Sequence, residues 1–410
     1  MKKILLGILR EGKMPPDKRV PLTPAQCVSL KQQFSHVDLV VQPSNIRAFK
    51  DDEYREVGLE LREDLSACDI LIGVKEVKID DLIPQKTYLF FSHTFKKQPY
   101  NRYLLRAILE KRIRLIDYEI LRDLNNQRLI GFGRWAGIVG CYNSFLTYGL
   151  KTNTFELKAA HQCYDRVELE TELRKILLPS DFKLVLTGWG RVGQGAREIL
   201  KLLPIQEVSP SDFLNENFDY PVFTQLEVEH YNAHKDGLDF DKKVFYQDAT
   251  NFVSTFPRYL EQADLYIACH YYSNDAPYLV TKADLKNPAI KTKVVGDISA
   301  DIDGPIACTI RPSVIGDPIY GYDPLTAQET DFMNPEAIAV MAIDNLPCEL
   351  PRDASEDFGN MLLDSVFPYL FGDQDPDLII ERATQTNLDG KLMPRFDYLS
   401  DYVYEENLNH

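Results

Sequence analysis

The chain is short of every feature that would tie it to a membrane, an oxidising compartment or a nucleic acid. No apolar run in its 410 residues reaches the roughly 20 needed to cross a bilayer. The opening Met1-Lys-Lys-Ile-Leu-Leu-Gly-Ile-Leu-Arg10 has two lysines and a brief apolar stretch. It lacks a small-residue cleavage site and runs straight into charge, so it reads as a first strand rather than a leader. The terminal Asn407-Leu-Asn-His410 carries no recognisable address. Cysteine is sparse and scattered, seven residues at 27, 68, 141, 163, 269, 308 and 348, with no CxxC pair. An odd, dispersed set suits reduced thiols and a cytoplasmic location. No His/Cys cluster has metal-ligand spacing, so no structural metal is expected. Basic residues are outnumbered 46 to 62, and the net charge of −16 excludes a general nucleic-acid role, which needs a basic surface.

What is present is an ordinary globular balance, 44% hydrophobic and 26% charged, in a length that suggests two or three domains. Short Val-, Ile- and Leu-rich runs at Ile4–Leu9, His36–Val41, Asp69–Val74, Thr87–Phe91 and Arg114–Asp117 alternate with helical patterns such as Pro24–Phe34 and Asn101–Glu110. That alternation predicts βαβ units and a parallel sheet. Gly131-Phe-Gly-Arg-Trp-Ala-Gly137 closes this half, and a helix from about Ile138 leads into a second domain. There Lys183–Thr187 reads as a strand and Gln194–Leu203 as a helix, with further strands at Ile205–Val208, Leu265–Cys269 and Val294–Asp297. Residues 211–258 show no clear periodicity and read as an insertion with short elements. A helix-like Pro335–Ile343 returns the chain to the first domain. The expected fold is α/β: two Rossmann-like domains, residues 1–137 with 346–410 for substrate and catalysis and residues 138–345 for the dinucleotide, with an inter-domain cleft.

The strongest local motif is Thr187-Gly188-Trp-Gly190-Arg-Val-Gly193-Gln-Gly195. It follows a predicted strand and opens a predicted helix, the context in which Gly-x-Gly-x-x-Gly binds a dinucleotide. Gly188 permits the tight turn, Gly190 lets backbone approach a pyrophosphate, and Gly193 lets helix pack on strand. The helix N-terminus then offers free N–H groups to phosphate. Glu207, about 20 residues on, is placed to accept from the adenosine ribose hydroxyls and to repel a 2′-phosphate. NAD is therefore expected, while Arg191 and Arg197 nearby leave NADP open.

Lys75 ends the strand Ile70-Leu-Ile-Gly-Val-Lys75, and His93 ends the next, Tyr88-Leu-Phe-Phe-Ser-His93. Parallel strands present such ends to a shared crevice, so the two are candidates for an acid/base pair. Their surroundings resemble the saccharopine dehydrogenases of the L-lysine-forming kind. They are closer still to the lysine–2-oxoglutarate reductase half of the aminoadipic semialdehyde synthase of animals and plants, and more distantly similar to alanine dehydrogenase and the nicotinamide nucleotide transhydrogenase α chain. The resemblance rests on Asp17-Lys-Arg19-Val-Pro-Leu-Thr-Pro24, Val41-Gln-Pro-Ser-Asn45, Gly73-Val-Lys-Glu76, Phe91-Ser-His-Thr94 and Arg114-Leu-Ile-Asp-Tyr-Glu119. It continues through Gly131–Gly137, Asp297-Ile-Ser-Ala-Asp301 and Ile343-Asp-Asn-Leu-Pro347.

The resemblance implies acid/base roles for Lys75 and His93. It implies substrate contacts at Arg19, Gln98, Arg128 and Phe132, and at Ser299, Ala300 and Asp301. It implies NAD contacts at Arg191, Val192, Glu207, Tyr271, Ile298, Ile343, Asp344, Asn345 and Leu346. The implied substrates are lysine, 2-oxoglutarate and saccharopine, whose carboxylates suit the planar fork of arginine. Glu76 follows Lys75 as in the fungal enzymes, whereas Gln127 stands where those enzymes have an arginine. The animal reductase half prefers NADP and lacks an acid at the position of Glu207. Two other readings compete: an alanine-dehydrogenase-like enzyme acting on a smaller amino acid, and a non-catalytic NAD-binding regulatory protein.

Overall fold

Short apolar runs become the strands of two parallel sheets, one in each of two compact units. The computed structural model describes residues 3–273 and 275–404, so the Asn407–His410 terminus and the first two residues lie outside it. One unit comprises residues 1–132 and 351–410, the other residues 133–350. The breaks fall at 132/133 and 350/351, against the expected 137/138 and 345/346. The helix Gly133–Thr152 begins at the first break, five residues before the expected Ile138.

In the first unit the strands are β1 (Ile4–Ile8), β2 (Val37–Val41), β3 (Glu60–Leu61), β4 (Ile70–Ile72), β5 (Thr87–Phe90) and β6 (Arg114–Asp117). All pair in parallel, in the order β3-β2-β1-β4-β5-β6 of a doubly wound sheet. β4 and β5 are buried along their whole length, because helices cover both faces of such a sheet. The helix Pro24–Gln33 starts at a capping box: the Thr23 side chain accepts from the Gln26 N–H, and Gln26 returns an acceptor to the Thr23 N–H. The Gln26 amide also reaches the Glu356 carbonyl at 2.6 Å, tying this helix to Pro351–Ser365 from the returning C-terminal segment.

The second unit has an eight-stranded sheet and a small hairpin. The strands are β7 (Lys183–Thr187), β8 (Gln206–Glu207), β9 (Val222–Leu226), β10 (Asn232–His234), β11 (Phe252–Ser254), β12 (Leu265–Ala268), β13 (Val294–Asp297), β14 (Ile319–Asp323), β15 (Gln328–Thr330) and β16 (Ile338–Met341). β10 and β11 form the hairpin, and the large sheet runs β15-β14-β16-β13-β12-β7-β9-β8. Two expectations are corrected here. Pro335–Ile343 is not a helix: its core, Ile338-Ala-Val-Met341, is a fully buried strand between β13 and β14. An uninterrupted apolar run does not distinguish a buried strand from a buried helix by periodicity. Nor is 211–258 only an insertion, since β9 within it pairs along its whole length with β7. No helix among the described residues is long and apolar enough to cross a membrane, and all seven cysteines are buried.

Candidate active site

In the first sheet the strand order reverses between β1 and β4, the switch point at which open α/β sheets hold ligands. The chain leaving β1 brings Glu11 and Lys13, and the chain leaving β4 brings Lys75 and Glu76, to one cavity of about 530 Å³. Glu11 accepts the Val74 N–H on one oxygen at 2.7 Å and the Lys75 N–H on the other at 2.9 Å, fixing the backbone that carries Lys75. Burial, reinforced by Asp17, pushes the Glu11 carboxyl up to about 7. Burial also pushes Lys75 below the usual lysine range, and the positive charges of Arg19 and Lys13 add to this. A lysine so placed loses its proton more readily than one in water. Glu76 bridges Lys13 at 3.1 Å and His93 Nδ1 at 2.6 Å. Burial opposes its charge, but the His93 hydrogen bond and Lys13 hold it at about 2. An ionised Glu76 can only accept, so Nδ1 carries the hydrogen, and Nε2 is left to take or give a proton.

Arg19 and Phe132 are brought together: the guanidinium lies 4.2 Å over the Phe132 ring, which stacks on Phe358 at 4.6 Å. Arg19 is 2% exposed and grips Asp17 through Nε at 3.0 Å and Nη2 at 2.6 Å. Although burial opposes it, this pairing holds the Asp17 carboxyl at about 2. Arg128 is more open, 37% exposed, and donates from Nη2 to Glu119 at 2.6 Å, an oxygen that also receives Lys96 at 2.7 Å. Gln98 is engaged with the Tyr100 hydroxyl at 2.5 Å.

The second sheet switches direction between β7 and β12, and the glycine turn follows β7. Gly188 has φ +90°, and a Cβ there would stand 2.4 Å from the Cys269 carbonyl at the end of β12. A Cβ on Gly193 would stand 2.1 Å from the Gly188 carbonyl, whereas one on Gly190 would meet nothing within 4 Å. The turn therefore closes on itself behind and is open in front. The ten-residue helix Arg191–Leu200 starts at Gly190 with no side-chain cap, which leaves its first N–H groups for a ligand. A cavity of about 560 Å³ lies there, within the range of small-molecule sites. These residues fit a dinucleotide phosphate.

Of the anticipated contacts, Gly188, Gly190, Arg191 and Val192 line this cavity from the turn. Tyr271 lines it after β12, and Ile298, Ser299 and Asp301 after β13. Ala300 has φ +50° and, like Ser299, donates its N–H to the buried Asp297. Ile343–Leu346 follows β16 and is not part of the lining. Leu346 instead packs beside Ile298 at Gly140 of the long helix. Glu207 is also outside the lining. It sits on the edge strand β8, and both its oxygens accept from Arg197, at 2.6 and 2.7 Å. Arg197 reaches on to Gln225, whose amide donates to the Gly188 carbonyl at 2.7 Å.

Comparison with known proteins bears on the family and the fold. Residues 7–139 match the model of the alanine dehydrogenase/PNT N-terminal domain. The chain thus carries that domain. It is 31% identical over 402 residues to an alpha-aminoadipic semialdehyde synthase of Arabidopsis thaliana, a match covering 87% of this chain and 38% of that protein. The chain therefore spans about two-fifths of that relative's length. It is 26% identical to a saccharopine dehydrogenase [NAD(+), L-lysine-forming] of Emericella nidulans, covering 87% of this chain and 90% of the other. Among solved structures an L-alanine dehydrogenase superposes with a TM-score of 0.65 at 16% identity, covering 98% of this chain and all of that one, which shows a common fold.

Several residues of both sites escaped the sequence reading. Glu11 and Lys13 belong to the first, and Asp17 enters it as the partner of Arg19. In the second, Glu227 directly follows β9, the strand beside the glycine strand, and lines the cavity. Lys242 pairs with it at 2.5 Å. The chain spacing that singled out Glu207 assumes that the next strand in sequence is also the neighbour in the sheet; here it is not.

Proposed function

We propose that the chain is a nicotinamide-dependent oxidoreductase that reductively joins the side-chain amine of lysine to 2-oxoglutarate, forming saccharopine, and that it runs in reverse. The observation that carries this reading is the cluster at the first switch point. A half-buried lysine, discouraged from holding its proton, immediately precedes the ionised glutamate that fixes the ring of a histidine. The names of the relatives support the substrate assignment. Overall, lysine, 2-oxoglutarate, reduced dinucleotide and a proton give saccharopine, oxidised dinucleotide and water.

Lys75 takes the proton that frees the amine of lysine for attack on the oxo carbon. His93, through Nε2, delivers the proton that lets the resulting hydroxyl leave as water, and the C=N bond remains. A reduced nicotinamide, when bound, would supply the hydride for this bond. Glu11 holds the Lys75 backbone, and Glu76 keeps the His93 tautomer. Arg128 is the guanidinium offered to the distal carboxylate of 2-oxoglutarate. The turn at Gly188, Gly190 and Gly193, with Arg191 and Val192, would hold the pyrophosphate. Glu227, in place of Glu207, would accept from the ribose hydroxyls, which makes NAD the favoured cofactor.

The test is a spectrophotometric assay of NADH and NADPH oxidation with lysine plus 2-oxoglutarate and, separately, pyruvate plus ammonia. Turnover that requires both lysine and 2-oxoglutarate is expected. Faster turnover with pyruvate and ammonia would move the protein to alanine dehydrogenase chemistry, and no turnover with either pair would refute an enzyme of this class.

A further inference from the structure

His93 occupies a backbone state that its own chemistry does not favour. Its φ is +55°, in the left-handed region where a side chain with a Cβ is strained. Such a residue stays there only if its surroundings hold it. The residues on either side are clamped by a hydrogen-bond chain that does not include the imidazole. Asp117, at the end of β6, accepts the Ser92 N–H at 3.1 Å and also the Ser92 hydroxyl. Its other oxygen accepts the Glu119 N–H at 2.7 Å. The Ser92 hydroxyl lies 2.8 Å from that of Thr94 and accepts the Thr94 N–H at 3.3 Å. The Thr94 hydroxyl donates to the Gln385 side-chain carbonyl at 2.7 Å. Ser92, Thr94, Asp117 and Gln385 are all fully buried. Gln385 lies 291 residues further along the chain, and its backbone is itself held by Leu115 and Met393.

We infer that Ser92, Thr94, Asp117 and Gln385 are positioning residues, a buried hydrogen-bond chain that fixes His93 in its left-handed conformation and so sets its ring on Glu76. Without the chain the peptide relaxes to an ordinary backbone state, and the imidazole swings away from the carboxylate 2.6 Å from its Nδ1. Thr94 is the central link: its N–H donates to the Ser92 hydroxyl, and its own hydroxyl donates to Gln385. The role of this chain in turnover rests on the reading of His93 as an acid/base group; its role in geometry does not.

The experiment replaces Thr94 in the full chain with Val, which keeps the shape and removes the hydroxyl, and with Ser, which keeps the hydroxyl. Histidine-specific nitrogen labelling and proton NMR then follow the His93 Nδ1–H signal, assigned by its loss in His93→Gln. Wild type and Thr94→Ser should show the downfield signal of a histidine–carboxylate bond, and Thr94→Val should lose it while remaining folded by circular dichroism. In the lysine plus 2-oxoglutarate assay Thr94→Val should lower kcat by about 10²-fold, the scale of a misplaced catalytic group, with the KM for NADH unchanged. Thr94→Ser should restore most of it. An Nδ1–H signal that persists in Thr94→Val would overturn the proposal whatever the turnover. The expected NMR pattern in a protein inactive toward lysine and 2-oxoglutarate would uphold the positioning chain and refute the proposed reaction instead.

Discussion

Exchanging Glu227 for Gln tests the cofactor assignment at the atom where the two dinucleotides differ. The Glu227 side chain is 35% exposed and its partner Lys242 50% exposed, so both charges are partly screened by water. Two unit charges about 4 Å apart interact by ~1 kcal/mol in water and ~4 kcal/mol at an effective dielectric of about 20. Exposure and the opposing charge of Lys242 favour the lower figure. Removing the carboxylate should therefore relieve ~1 kcal/mol of repulsion toward a 2′-phosphate, about fivefold in kcat/KM for NADPH. Toward NADH, a charged hydrogen bond to the ribose contributes ~1.5–3 kcal/mol, and Gln retains a weaker acceptor. Half of that is lost, ~0.75–1.5 kcal/mol, or about four- to twelvefold. The ratio of kcat/KM for NADH to that for NADPH should fall by roughly 20–60-fold. Measuring both cofactors on the same preparation cancels any change in active fraction, and titration of dinucleotide fluorescence gives the same ratio without turnover. Glu207→Gln is the control. It loosens the Arg197–Gln225 tether to the Gly188 carbonyl and should weaken both dinucleotides alike. A ratio unchanged within about twofold in Glu227→Gln, or shifted equally by Glu207→Gln, would refute the assignment.

Lys75→Met and His93→Gln should each lower kcat by about 10²–10⁴, the usual contribution of a positioned acid or base, with NADH binding by fluorescence unchanged. Arg128→Lys should narrow the preference for 2-oxoglutarate over pyruvate by about tenfold in kcat/KM, because an ammonium cannot reproduce the planar fork. Asp17→Asn should cost ~3–5 kcal/mol in urea unfolding, since it takes the carboxylate from the buried Arg19. The same pair predicts a pH dependence. The folded Asp17 carboxyl, at about 2, lies below its ordinary 3.8, so its ~2–3 kcal/mol of stabilisation is full above about pH 4 and is lost as pH falls toward 2. Wild-type and Asp17→Asn stabilities that fall in parallel over that interval would contradict this.

The first sheet and its strand-end residues were legible because their signals are local. β4 and β5 are short runs of β-branched and aromatic residues, and Lys75 and His93 stand just beyond them, where any parallel sheet must present side chains. The partners of those residues were not legible. Glu11 acts on Lys75 from 64 positions away, and Gln385 acts on Thr94 from 291, contacts that only the folded chain defines. The left-handed backbone of His93 has no signature either, because it is imposed by neighbours rather than by a glycine in the sequence.

β9 was missed for a reason that bears on function. Val222-Phe-Thr-Gln-Leu226 does not read as a central strand because two of its five residues are polar, yet Thr224 and Gln225 are both buried. Gln225 is polar because it ties the Gly188 carbonyl to Arg197, and through Arg197 to Glu207. The side chain that secures the dinucleotide turn is thus the one that hid the strand. Missing that strand left Glu227, the ribose acid proposed above, out of consideration. Counting about 20 residues from the first glycine finds the next strand in sequence, β8, which pairs only with β9 at the outer edge. On the proposed reading, a ribose bound at the turn would meet the residue that follows the strand hydrogen-bonded to β7. That strand is β9, its register sets Thr187 opposite Leu226, and the residue after Leu226 is Glu227.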